Sequence, residues 1–201
     1  MSKTQIVTGG IADDAVSEEH IDATAITGTT ALAETPASTD EILISDAGTL
    51  KRLDFTHIYN TPAFRVTAGT TDQSISHNTW TKLTNLGTEI FDTDSAFASN
   101  KFTVPAGEGG KYMFGYGTSI NNLDDNEKLQ IALYKNGSRV DNTQNRVIAG
   151  TDNTLFFVQA TNVLDLSATD YIELYMMHEE GASQNTNSDY IFLYGYKLVG
   201  V

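Results

Sequence analysis

Between Lys101 and Ile120 the chain reads KFTVPAGEGGKYMFGYGTSI, and the spacing of its large side chains limits the possible folds more than any other feature. Phe102 and Val104 lie two apart, Pro105 to Gly110 interrupts, and Tyr112, Phe114 and Tyr116 again lie two apart. Residues two apart share one face of a strand. The stretch therefore reads as two half-buried strands joined at a Pro-Ala-Gly corner, the second filling one face with aromatic rings. The same grammar runs from Ala63 to the end of the chain. AFRVT, TWTKLTNL and EIFD come first. KLQIALYKNGSRV then alternates Leu129, Ile131 and Leu133 into an Asn136-Gly137 turn, the strongest short-range hairpin signal. NTLFFVQATNVLDL, DYIELYMM and YIFLYGYKLV follow. Short strands at this spacing, separated by Gly, Asn and Asp turns and with no helical period, predict a mainly β domain over residues 61–201, an antiparallel sandwich or jelly roll.

Two of these strands are apolar on both faces. In YIFLYGYKLV, Phe192, Tyr194, Tyr196 and Leu198 share one face and Ile191, Leu193 and Val199 the other, and LFFV is apolar on both sides as well. A central strand in a well-covered sheet would show this pattern. So would a strand whose second face meets another subunit about a symmetry axis. The second reading predicts a homo-oligomer with Phe156, Phe192, Tyr194 and Tyr196 at its interface.

Residues 1–60 have a different composition, rich in Thr, Ala, Asp and Gly and without tryptophan. Such a segment buries too little apolar surface to offset its own ordering entropy. It is expected either to remain disordered or to order against copies of itself or a partner. Within it, EILISDAGTLKRLDF reads as a hairpin: Ile42 and Ile44 alternate, Asp46-Ala47-Gly48 turns, and Leu50 and Leu53 follow. IADDAVSEEHI reads as a short helix capped by Ser17, with Glu18 and Glu19 in the first turn.

Bulk composition excludes several functions. The net charge of −14, with only 12 Lys and Arg among 201 residues, argues against nucleic acid, which needs clustered cations. No run of about 18 apolar residues is present to span a membrane. The opening MSKTQIVTGGIADD has no apolar h-region, and the absence of cysteine fits folding in a reducing cytoplasm.

Catalytic and cofactor patterns are absent too, so neither enzyme activity nor a bound metal or cofactor is expected. His20, His57, His77 and His178 are scattered, without metal-ligand spacing, and His178-Glu179-Glu180 reads as a solvated loop edge. No nucleophile elbow or phosphate loop occurs. Asp92-Thr93-Asp94 starts like a calcium loop, but Ala96-Phe97 follows where Asp or Asn and Gly are needed. Asp124-Asp125-Asn126-Glu127 is the best oxygen-rich cation candidate, although oxygen ligands alone do not specify one. Asn136-Gly137-Ser138 matches a glycosylation sequon but reads as a hairpin turn. Trp80, the single tryptophan, is expected to pack in the core or between subunits. Recognition of a partner would fall to polar loops, whose candidate contacts are Asn121, Asp124 and Asp125, then Asn142, Gln144 and Asn145, then Gln184, Asn185 and Asn187.

FTVPAGEGGKYMFGYG resembles the F-x-x-P-x-x-G-x-Y-x-F segment of the globular head of the complement first-component q subunit, a tumour-necrosis-factor-like trimeric jelly roll. Phe102, Pro105, Gly110, Tyr112 and Phe114 match, with an extra Gly-Glu at the corner. ALYKNG, LSATDYIELY and YIFLYGYKL resemble later segments of that family in the same order, and Thr169 stands where the family carries glycine. IADDAVSEEHID and ALAETPASTDEILISDAGTLKRLDFTHI resemble repeats and hairpin modules of phage tail-fibre proteins, with Pro36, Asp40, Leu43, Ile44, Asp46, Gly48, Leu50 and Lys51 in place. Together the resemblances imply a phage virion protein made in the host cytoplasm. Residues 1–60 would attach it to other virion proteins, and a trimeric knob over 61–201 would bind a host surface glycan or protein. A capsid decoration protein or head fibre with a structural role is the alternative.

Overall fold

The computed structural model describes residues 24–37, 39–59, 61–151 and 154–199, so the helix expected around Ser17 lies outside the described residues. The chain divides into two compact units, residues 1–57 and 58–201.

In the first unit, β1 (Glu41–Asp46) pairs antiparallel with β2 (Thr49–Asp54) in the register Ile42 to Leu53 and Ile44 to Lys51. Ala47 and Gly48 close the hairpin at φ of +49° and +82°, as a two-residue turn with the strands' own twist requires. Lys51 pairs with Asp46, and Arg52 with Glu41 at 2.9 Å. Leu43 and Leu50 remain 74% and 71% exposed. Two strands alone are marginal in water, so this hairpin needs further cover to be stable.

The second unit is an antiparallel jelly roll. Its strands are β3 (Ala63–Thr67), β4 (Ser74–Ile75), β5 (Thr81–Lys82), β6 (Thr88–Asp92), β7 (Phe97–Ala98), β8 (Lys101–Thr103), β9 (Gly110–Leu123), β10 (Lys128–Lys135), β11 (Ser138–Arg139), β12 (Asn145–Ile148), β13 (Thr154–Leu166), β14 (Tyr171–His178), β15 (Gln184–Asn185) and β16 (Phe192–Lys197). Five form one sheet in the order β13-β9-β16-β3-β6. Seven form the other, β11-β10-β14-β8-β7, with β12 also on β10 and β5 on β14. The small pair β4 and β15 stands apart from both.

The Pro105 to Gly110 corner carries the chain from the seven-stranded sheet to the five-stranded one, with the Glu108 N–H donating to the Pro105 carbonyl at 3.1 Å. Alternation then does what the sequence pattern predicts. Tyr112, Phe114 and Tyr116 of β9 are fully buried, and Tyr112 and Phe114 meet Phe102, whose ring stacks on Phe64 at 4.6 Å. Burying each such side chain contributes about 1.5–3 kcal/mol. Asn136 and Gly137 adopt φ of +52° and +78° between β10 and β11, which makes the sequon asparagine a turn residue. Its amide is fixed as well: Nδ2 donates to Asp170 at 2.7 Å and Oδ1 accepts from the Tyr171 N–H at 2.9 Å.

Some expectations change in detail. Of TWTKLTNL only Thr81–Lys82 is strand. The Gln73 side chain takes the role a neighbouring strand would have, donating to the Lys82 carbonyl at 2.7 Å and accepting from the Thr84 N–H at 2.7 Å. His178 is not at a solvated edge: it is fully buried at the end of β14, with Nε2 2.9 Å from the Ile75 carbonyl oxygen.

Candidate functional site

The outward face of the five-stranded sheet is built from the same strands as the core. From Tyr112 to Ile120 the even positions of β9 point inward, while the odd positions Gly115 and Gly117 point outward. Glycine within a strand normally weakens it. Here each glycine is paired across the ladder with an aromatic residue: Gly117 with Phe192, Gly115 with Tyr194 and, on the core side, Gly195 with Phe114. The rings occupy the space a side chain would take. A Cβ on Gly115 would fall 2.1 Å from Tyr194 Cζ, and one on Gly117 would fall 2.7 Å from Phe192 Cε1. The rings thus lie down on bare backbone, an arrangement that restores the packing the glycines give up.

The result is an aromatic surface facing away from the core. Phe192 and Tyr194 stack at 6.0 Å, Phe157 lies 6.3 Å from Phe192, and the Tyr196 hydroxyl donates to Met113 Sδ at 2.9 Å. Leu155, Phe157 and Val163 of β13, Phe91 of β6 and Tyr196 are exposed on it. Tyr194 stands between two shallow depressions. One, of about 410 Å3, is lined by Gly115, Gln159, Thr161 and Phe192; the other, of about 270 Å3, by Arg65, Phe91 and Tyr196. Aromatic rings interspersed with the exposed Arg65, Gln159 and Thr161 give this face the mixed composition of a protein interface.

Of the four residues expected at an interface, Phe192, Tyr194 and Tyr196 lie on this face. Phe156 does not: it is half-buried against the core, opposite Ile120, and the outward ring of β13 is Phe157. The register is unbroken from Phe156 opposite Ile120 to Leu166 opposite Gly110, and this pairing decides which of the two adjacent phenylalanines turns in. Sequence reasoning also passed over Gly115, Gly117 and Phe91. The signal for the glycines was present as F-G-Y-G, aromatic and glycine alternating on opposite faces.

The nine polar loop candidates fall into two groups. Asn121, Asp124, Asp125, Gln184, Asn185 and Asn187 gather where β9 ends and β15 lies, at one end of the sandwich. Asn121 Nδ2 donates to the Thr186 carbonyl at 3.3 Å, and the Asn187 side chain accepts from the Asp189 N–H at 3.1 Å, so both brace the loop. Asp124, Asp125 and Asn185 are exposed. Asn142, Gln144 and Asn145 sit instead beside β12, where Asn145 Nδ2 donates to the Gln159 carbonyl at 2.7 Å. Among the described residues no group of three or more His, Cys, Asp or Glu is placed to hold a metal ion. The Asp124 N–H donates to Glu180 Oε2 at 3.0 Å, which ties two separate loops together, and Asp92 Oδ2 accepts from the Phe97 N–H at 2.7 Å, which supports its own turn.

No family model matches the chain, and no curated protein matches it. Solved structures do. The globular domain of a zebrafish complement 1qA protein is 16% identical, covers 68% of this chain and 97% of its own, and superposes with a TM-score of 0.51. The Eiger TNF of S. frugiperda is 12% identical, covers 70% of this chain and 94% of its own, with a TM-score of 0.54. At such identity the likeness is one of fold, the antiparallel jelly roll common to both.

Proposed function

We propose that the protein is a homotrimeric, receptor-binding component of a phage virion, a fibre knob carried on an attachment segment. The aromatic face of the five-stranded sheet carries this reading. A lone knob would leave Phe91, Phe157, Tyr196 and the two depressions beside Tyr194 in water, whereas three copies about an axis bury them. An obligate interface of this kind covers on the order of 2,000 Å2 or more. The fold shared with complement and tumour-necrosis-factor domains supports a binding rather than a chemical role. The resemblance of residues 11–58 to tail-fibre modules, together with the hairpin of β1 and β2 and its exposed leucines, supports attachment to other virion proteins. The polar end bearing Asp124, Asp125 and Asn185 is the surface left for a host glycan or protein.

The test uses the full chain. Sedimentation equilibrium at micromolar concentration should give a trimer, and the purified protein should block adsorption of its phage to host cells. A stable folded monomer refutes the assembly. A trimer that leaves adsorption unchanged, with an antibody against it labelling the capsid rather than the tail, assigns the protein to capsid decoration instead.

A further inference from the structure

We propose that the solvent face of the seven-stranded sheet, between Trp80 and Arg146, binds an acidic saccharide. The site lies on the sheet opposite the aromatic interface and stands on its own geometry, without need of the virion reading.

Even positions of β10 lie on the face away from the core, beside odd positions of β14: Gln130 opposite Met177, Ala132 opposite Tyr175, Tyr134 opposite Glu173. The rings of Tyr134 and Tyr175 stack at 3.7 Å and 18°, and Trp80, arriving just before β5, lies 6.2 Å from Tyr134. The Arg139 guanidinium sits over Trp80, 5.4 Å from the ring centre. Ala132 is fully buried although it lies on this face, since these rings flank it. Trp80, Tyr134 and Tyr175 themselves remain half-exposed. Beneath them Lys82 and Glu173 form a largely buried ion pair at 2.6 Å that fixes the sheet. The rings are thus held in place while part of each stays open to solvent.

A polar depression adjoins this group. Asp141, Gln144, Asn145 and Arg146 line a space of about 410 Å3, within the roughly 300–1,000 Å3 usual for small-molecule sites. Asp141 accepts from Arg139 Nε at 2.9 Å, which ties the depression to the Trp80 ring. Gln144 donates to Gln130 at 2.5 Å, placing two amides beside Arg146, the ladder partner of Gln130.

A sugar ring presents C–H faces and hydroxyl groups on one body. It needs an apolar ring surface next to amides and charged forks, and this face supplies both. Tyr and Trp suit such a ligand because each joins an apolar body to a polar tip. The charge pattern selects an acidic sugar. On the same sheet Lys82, Lys128, Lys135 and Arg139 each have a carboxylate partner. Arg146 is exposed and has no carboxylate partner among the described residues, and its planar fork matches a carboxylate in two hydrogen bonds.

Trp80 is the only tryptophan, so its fluorescence reports on the site alone. The full chain would be titrated with a galacturonic acid trimer and with a galactose trimer, by Trp80 emission and in parallel by calorimetry. The acidic trimer should bind saturably, about tenfold tighter than the neutral one, the scale of one charge-assisted hydrogen bond. Arg146→Gln, at an exposed position, should remove that preference without changing Tm, and Tyr175→Ala should weaken both trimers. No saturable signal by either method up to about 10 mM, a range that reaches very weak affinities, overturns the proposal. So does equal binding of the two trimers, or acidic-trimer binding that survives Arg146→Gln.

Discussion

Gly115→Ala adds one methyl group at the point where Tyr194 lies on the sheet. The new Cβ would stand 2.1 Å from Cζ, 2.3 Å from Oη and 2.4 Å from Cε1 of that ring, all impossible separations, so the ring must lift off the backbone. Tyr194 is at the surface of the knob and has room to swing outward, and Gly115 takes no part in the core. The fold should therefore survive. What the variant loses is the relief between the two depressions, at overpacking costs of about 1–3 kcal/mol per site. Three symmetric copies raise this to roughly 3–9 kcal/mol per trimer. Because a trimer–monomer midpoint varies with half of that energy over RT, the midpoint should rise by about tenfold to about two-thousandfold. Sedimentation velocity across a concentration series gives the midpoint, and far-ultraviolet circular dichroism confirms the fold. If the variant assembles at the parental midpoint, Tyr194 is outside the interface and the trimer argument fails. If it unfolds, the ring belongs to the core and the two faces of β9 are misassigned.

Two further predictions concern the turn that joins β13 to β14. Thr169 adopts φ of +73° in a turn closed by the Asp170 N–H donating to the Ser167 carbonyl at 3.1 Å, a β-branched residue where glycine is preferred. Thr169→Gly should stabilise the knob by about 0.5–1 kcal/mol, relief of strain less the entropy glycine loses on folding, and thermal unfolding would show Tm rising by a few degrees. A fall in Tm would mean the turn is not strained. Asp170 accepts from Lys135 Nζ at 2.7 Å, Asn136 Nδ2 at 2.7 Å and the Ser167 N–H at 2.8 Å. These bonds, that from Lys135 foremost, lower its pKa from 3.8 to about 2. A lowered carboxylate pKa stabilises the fold above the ordinary value, and that contribution is lost as pH falls from near 3.8 towards 2. Asp170→Asn should therefore melt several degrees below the parent at pH 7, with the gap closing by about pH 2; a gap that does not depend on pH would show that charge is not the cause.

The strand grammar was legible wherever one face was buried and the other was not. Leu129, Ile131 and Leu133 of β10, the aromatic positions of β9, and the Asn136-Gly137 and Ala47-Gly48 turns all lie as the pattern predicts, because burial and turn conformation act locally on those residues. What could not be read depended on partners distant in sequence. Phe156 and Phe157 are consecutive and both apolar, and the pairing of Phe156 with the buried Ile120 of β9 decides which turns inward. TWTKLTNL carries strand-forming residues, yet Gln73 intercepts its hydrogen bonds. His178 reads as an edge residue because nothing near it in sequence reveals that Ile75 covers it. The polar loop residues were legible as surface, but their division into a braced end and a flank beside β12 comes from the topology alone.

The alternation in β9 bears on how such a chain can change over generations. From Tyr112 to Ile120 its even positions face the core and its odd positions the opposite face, with one backbone thickness between them. A substitution at position 115 or 117 is thus tested by the neighbouring surface while Phe114 and Tyr116 keep their places. Duplicated copies of the chain could drift apart at the odd positions, each still folding, until one no longer accepts the other. A single strand would then be enough to separate two self-associating lineages that share the same interior.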